Sequence, residues 1–405
     1  MKADSIASTP AGRALVGAVV LLLAATVVGL IAFWPTGGSG LSSVSGTESS
    51  TGASQAFGGS SLPATVDSSS IVRCQGPVAQ ECRQIRVTLG GGPDNGQSTT
   101  ITMGPTASSP AVGAGDDIRV VHVATTPGAE PDKVQPYQFA DFDRHSSLIW
   151  LAVGFALLVL VLARWRGLLA LVGLGLSLLL VVKFLIPAIL AGSSPVLVSL
   201  ISALSVMFLM LALTSGVGIQ SLAAALGIAA SLLLASLLGL IYVHVAHLNG
   251  YTSELSTLLT NFNVHVSLEG IVIAGMVIGA LGVIADMAVT QASAVMALRR
   301  TNPSLSAREL YREAFVVGRD HLSATINTLV LAYVGASLPL LLVIHSAAVT
   351  TGDAINTQDI AEPIVASLVG SIGLLASVPL TTGLAAVLAA RMPPEAVRGH
   401  AGHGQ

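Results

Sequence analysis

Charge is what this chain has least of. Only 10% of its 405 residues are Asp, Glu, Lys or Arg, against roughly 25% in ordinary soluble domains. Lysine is nearly missing, with Lys2, Lys133 and Lys183 its whole complement, and the formal net charge is -3. A nucleic-acid partner is therefore not expected. Cysteine is confined to Cys74 and Cys82. The sequence contains no Walker-type glycine loop, no His-Glu-x-x-His and no Gly-x-Ser-x-Gly, which leaves ATP hydrolysis and zinc or serine proteolysis without their usual equipment. No enzymatic activity, cofactor or metal centre is expected. His244 and His247, with Glu254 and His265 nearby, form only a weak metal pattern and read as interfacial residues.

What the chain has in abundance is apolar sequence, at 52% of residues. The run 14–33 is long enough to cross a bilayer core of roughly 30 Å at about 1.5 Å per residue. No small-x-small site follows it, so it reads as an uncleaved anchor. Residues 36–62 are rich in Gly, Ser and Thr and read as a flexible linker. Within 63–145 the period-two runs Ile85-x-Val87-x-Leu89, Ile101-x-Met103 and Ile118-x-Val120 predict a small β-rich module, a barrel or sandwich with an OB-like fold as one option. Cys74 and Cys82 lie in this module, where a disulfide is expected over two free thiols.

Further apolar spans are predicted at 148–163, 168–186, 196–213, 219–243, from 271 to between 289 and 298, 322–344 and 364–390. With the anchor these make about eight transmembrane helices: an all-α polytopic membrane bundle carrying an extracytoplasmic β module after its first helix. Loops on the amino-terminal side hold Lys2, Arg13, Arg164, Arg166, Arg299, Arg300, Arg308, Arg312, Arg319, Arg391 and Arg398, whereas the short loops opposite hold no Lys or Arg. That asymmetry predicts a bacterial plasma-membrane protein with both termini, including the tail 392–405, in the cytoplasm. The stretch from Arg308 to Val316 reads as a short amphipathic helix at the membrane surface or a docking site for a partner.

Polar residues inside the spans are the candidates for chemistry. At about 100° per residue, Gly275, Gly279, Gly282 and Asp286 fall on one helix face, which Thr290 and Ser293 continue. The glycines read as helix-packing positions, as does Gly335. A carboxylate at mid-helix marks a partner, a polar cavity or an ion path. Asp320, Ser323 and Asn327 share a face of the next span, and Thr328, Ala332 and Gly335 form a second, small face. Asp286 is expected to share a polar pocket with Asn327. Lys183, near a span end, reads as a snorkelling residue.

The segment Gly279-Ala-Leu-Gly-Val-Ile-Ala-Asp286-Met-Ala-Val-Thr290-Gln-Ala-Ser293, then Gly318-Arg-Asp-His321 and Asn327 through Pro339, resembles the YibE/F family of bacterial multispanning proteins over residues 146–391. Family members commonly carry two adjacent acids where this chain has Ala285-Asp286, which argues against tight divalent-cation binding here. The resemblance implies a multi-pass architecture and a transport or export role. The function expected is a transporter-like or permease-like protein moving an ion or small solute past Asp286. The alternative is a non-transporting scaffold or accessory subunit that holds partners through the β module and the arginine-rich loop. Expected partners are the lipid bilayer and either a second copy of the chain or another membrane protein.

Overall fold

The computed structural model describes residues 10–35, 61–74, 80–122, 136–216, 218–251, 267–347 and 349–391. Most of the linker 36–62, the tail 392–405, Glu254 and His265 lie outside the described residues. The chain forms two compact units, residues 43–161 and residues 1–42 with 162–405.

The first unit is a β half-barrel of five antiparallel strands, β1 (Leu62–Arg73), β2 (Glu81–Leu89), β3 (Ser98–Pro105), β4 (Asp117–His122) and β5 (Tyr137–Phe142), in the order β3-β2-β1-β4-β5. Alternation decides its inside. Ile85, Val87, Leu89, Ile101, Met103, Ile118 and Val120 bury their side chains together with Ala64, Val66 and Tyr137. β1 and β5 are additional to the expected strands. In β1 a bulge between Val66 and Ser68 breaks the alternation, and Ser68, Ser69 and Ser70 follow it. Cys74 and Cys82 are joined by a disulfide across the β1–β2 hairpin, with Cα atoms 5.0 Å apart. The Tyr137 hydroxyl donates to Asp94 at 2.6 Å, which ties β5 to the β2–β3 turn. That bond to a carboxylate raises the Tyr137 pKa above its ordinary value.

The second unit is helical: α1 (Pro10–Ala32), α2 (His145–Leu180, whose amino-terminal part belongs to the first unit), α3 (Ile186–Leu190), α4 (Pro195–Thr214), α5 (Ile219–Val245), α6 (Leu268–Thr301), α7 (Ala307–Ser346), α8 (Thr351–Asn356) and α9 (Gln358–Ala390). Among the described residues seven helices are long and apolar enough to cross a membrane. The expected count of about eight divides one of these, His145–Leu190, in two. A single non-helical residue, Arg164 at φ 51° and ψ -131°, interrupts it. Between α2 and α3 the chain makes a π-turn, Val181–Leu185, because Pro187 has no N–H for the Lys183 carbonyl; Ile186 N–H bonds back to Val181 O instead. Lys183 stands exposed on this turn, and buried Phe184 stacks on Trp34 beyond α1, ring centroids 5.7 Å apart.

The expected surface helix at Arg308 is not a separate element. It is the first part of α7, which runs unbroken for 40 residues, about 60 Å or twice a bilayer core. Ser306 and Glu309 form a reciprocal capping box at its start. Arg299, buried, holds the turn between α6 and α7 through the carbonyls of Pro303 and Leu305, and reaches Ala390 O at the end of α9 at 3.3 Å.

α5 and α9 pack with almost no side chain between them. A Cβ on Gly227 would collide with the Thr381 hydroxyl, and one on Gly373 would lie 3.2 Å from Ala235 Cβ and 2.9 Å from Ile284 Cδ1. Gly227, Ser231 and Ala235 on α5 thus face Gly373, Ser377 and Thr381 on α9 at a repeat of four residues. By contrast Gly275, Gly282 and Gly335, expected as packing positions, have nothing within 4 Å of a built Cβ. Of the expected positions only Gly279 is closely approached, by the Tyr333 hydroxyl at 3.1 Å, while Gly227 and Gly373 lie where small residues of α5 and α9 face each other and Gly318 of α7 lies against Gln291. Gly227→Ala should therefore lower stability by about 1–3 kcal/mol through overpacking. Gly275→Ala should be neutral or slightly stabilising, with both read from unfolding in mixed detergent micelles.

Candidate functional site

α6 is built to be surrounded. Ser267 caps it by accepting from Gly270 N at 3.1 Å, Glu269 sits in its first turn, and Arg299 and Arg300 lie in its last. Neighbours cover most of its length: α5, α9, α4 and α7 all pack on it. Between Ile271 and Val295 the exposed residues are Gly275, Gly279, Gly282, Asp286 and Thr290. They form a single line, about 80° wide, of glycine, then carboxylate, then hydroxyl.

This line is the exposed face of α6. α7 stands along one side, with the Tyr333 hydroxyl 3.1 Å from where a Gly279 Cβ would lie. At the arginine-bearing end, half-buried Ser293 donates to Val289 O at 2.7 Å and accepts from Gln220 Nε2 of α5. Asp286 is exposed and, among the described residues, has no hydrogen-bond or ion-pair partner. A carboxylate without such a partner is open to a cation or a hydrogen-bond donor.

Asp320, Ser323 and Asn327 do not lie beside this line. α7 rests on α6 and α9 through buried Leu310, Ala314, Gly318, Leu322 and Leu329. At about 100° per residue Ser323, Asn327 and Asp320 lie about 100°, 140° and 160° round the helix from Leu322, so they point away from α6. All three are exposed, and Asp320 lies 3.9 Å from Arg319. The expected Asp286–Asn327 pairing is not made, because the two side chains leave their helices in different directions. The flank of α7 beside the glycine line is the other face, with Thr328, Ala332 and Gly335.

Three polar residues absent from the sequence candidates take structural places in the helical unit. Gln291 is fully buried, and its Oε1 accepts from Thr382 Oγ1 at 2.9 Å while its amide nitrogen lies against Gly318. It thereby joins α6, α7 and α9. Glu362, half-buried on α9, lies within electrostatic reach of Tyr333 and Asp359. Starting the last span at 364 left Glu362 in a loop, whereas the helix begins at Gln358 and runs through Pro363. Arg299 is the third, and its clamp needs backbone positions no residue pattern displays. His244 and His247 are exposed, and among the described residues no group of three His, Cys, Asp or Glu could hold a metal.

The Gln291–Thr382 bond yields a direct check. Gln291→Leu and Thr382→Val should each destabilise by about 1–3 kcal/mol, because each leaves a buried partner unsatisfied. The double variant should cost clearly less than the sum when the cycle is closed by unfolding in mixed micelles.

Comparison with known proteins agrees with this architecture. No curated protein and no solved structure matches the chain. The model of one family, described as YibE/F-like protein, matches residues 151–391, more than half of the chain and the whole of α4 to α9. The chain is a membrane-embedded protein and belongs to the YibE/F-like family.

Proposed function

We propose that this protein is a permease of the bacterial plasma membrane, moving an ion or small solute along the exposed line of Gly275, Gly279, Gly282, Asp286 and Thr290. One observation carries the reading: the only line of α6 its neighbours leave open between Ile271 and Val295 is the one that holds its carboxylate. A helix kept from lipid on all other sides would bury that carboxylate if it served packing alone. Glycines on that line leave room for a solute, and the Tyr333 hydroxyl adds a polar group beside Gly279. No chemical transformation is required of the site.

The placement in the bilayer follows from charge. Arg300, Arg308, Arg312, Arg319 and Arg391 gather at one end of α6, α7 and α9, which we assign to the cytoplasm with both termini. Arg164 then turns the chain between two crossings, for eight in all, and the half-barrel lies outside. Its strand order suits an OB-like barrel. A scaffolding role is the second reading, favoured by the length of α6 and α7, which at about 51 Å and 60 Å exceed the bilayer core.

Two measurements test these assignments. In proteoliposomes loaded with pyranine or a sodium-sensitive dye, the wild type should conduct under an imposed gradient and Asp286→Asn should lose that flux with folding intact. Equal flux through both, or none through either with those ions and a panel of small solutes, would overturn the permease reading. In intact cells Arg308→Cys should resist an impermeant thiol reagent and react only after permeabilisation; labelling from outside would reverse the topology.

A further inference from the structure

Three arginines on α7 are each followed by an acid: Arg308-Glu309, Arg312-Glu313 and Arg319-Asp320. The repeat of four and then seven residues puts the arginines in one row, about 40–80° round the helix from Leu322. The acids form a second row at about 140–180°. All six side chains are exposed. Arg319 and Asp320 are 3.9 Å apart, and Glu309 Oε2 is engaged by Ser306. Arg308 with Arg312 and Glu309 with Glu313 are like charges four apart, which weakens a helix, and the opposite pair Glu309 with Arg312 offsets that only in part. Two parallel rows of opposite sign also offer a surface to something outside the helix.

Between the rows runs a strip that continues along the helix to Val334: Val316, Ser323, Asn327, Val330 and Val334, all exposed. Asn327 and Ser323 lie in its apolar stretch, where lipid offers an amide no hydrogen bond. The helices packed on α7, α6 and α9, lie on its other side, at Leu310, Ala314, Gly318, Leu322 and Leu329.

We propose that this face of α7 binds the same face of a second copy of the chain about a two-fold axis parallel to the helix. The charge pattern selects that occupant. Rotation by half a turn places each arginine row against the second copy's acid row at nearly the same height, on both sides of the strip. Anionic lipid would satisfy the arginines and repel the acids. A self-matching face is what a two-fold contact requires. Within the membrane Asn327 of one copy meets Asn327 and Ser323 of the other, and an amide, both donor and acceptor, can bond its own copy.

The test uses the full-length protein in native membranes and in detergent. Val316→Cys should cross-link to a dimer under mild oxidation, while Val317→Cys, exposed but about 100° round the helix, should not. Asn327→Leu should weaken the dimer by about three- to thirty-fold, read from mass against concentration. Changing the three arginines to Glu gives an all-acid copy, and changing the three acids to Arg gives an all-basic copy. Each alone should be a folded monomer, and the two coexpressed with different tags should pair. Failure of Val316→Cys to cross-link, an all-acid copy that still dimerises, or no pairing between the two folded variants would overturn the proposal. A Val316→Cys adduct to some other membrane protein in place of the dimer would do so as well.

Discussion

The helical unit depends on how closely α5 and α9 can approach. In a bilayer there is no hydrophobic gain in pressing two apolar helices together, because lipid tails are as apolar as leucine; contact must come from shape and from polar bonds. Gly227 opposite Thr381, and Gly373 opposite Ala235, remove the side chains that would hold the two backbones apart. The Thr381 hydroxyl, without a conventional partner among the described residues, comes against Gly227, where a weak C–H to oxygen contact is available. Once α5 and α9 are joined, α6 has a continuous surface to lie on, with Ile284 over Gly373 and Gln291 bonded to Thr382.

That arrangement explains why the two polar helices differ so sharply. α6 packs against four neighbours, so its one open line is conspicuous and its residues are small or polar. α7 is held by a single narrow stripe and shows the rest of its circumference to the surroundings. A polar residue on α6 therefore reports on the interior of one molecule. On α7 it reports on whatever lies next to the molecule, which is why Asn327 and Asp286 belong to separate questions despite their kinship in sequence.

Legibility followed the range of the interactions involved. Alternation in Ile85, Val87 and Leu89, or apolar length in 219–243, is written in neighbouring residues, and strands and spans could be read from it. The line from Gly275 to Thr290 was legible too, because helical periodicity alone places those residues together. β1 was not: its second half is serine-rich and is held by pairing with β2. Nor was the fusion of the amphipathic segment into α7, since Arg319, Asp320 and His321 look like a boundary while the capping box at Ser306 is the true start. The importance of Gly227 and Gly373 was hidden among many glycines, as nothing local says which of them meets a partner. Glu362 was misplaced because Pro363 reads as a helix breaker, yet α9 passes through it.

Arg299 has a mechanical meaning. It ties the α6–α7 turn to the last carbonyl of α9 with a planar group that bonds in several fixed directions, which an ammonium could not reproduce. One side chain thus joins the end of α6, the turn into α7 and the end of α9, so three helices separated by up to 91 residues in the chain share a single fixed joint at the arginine-bearing end.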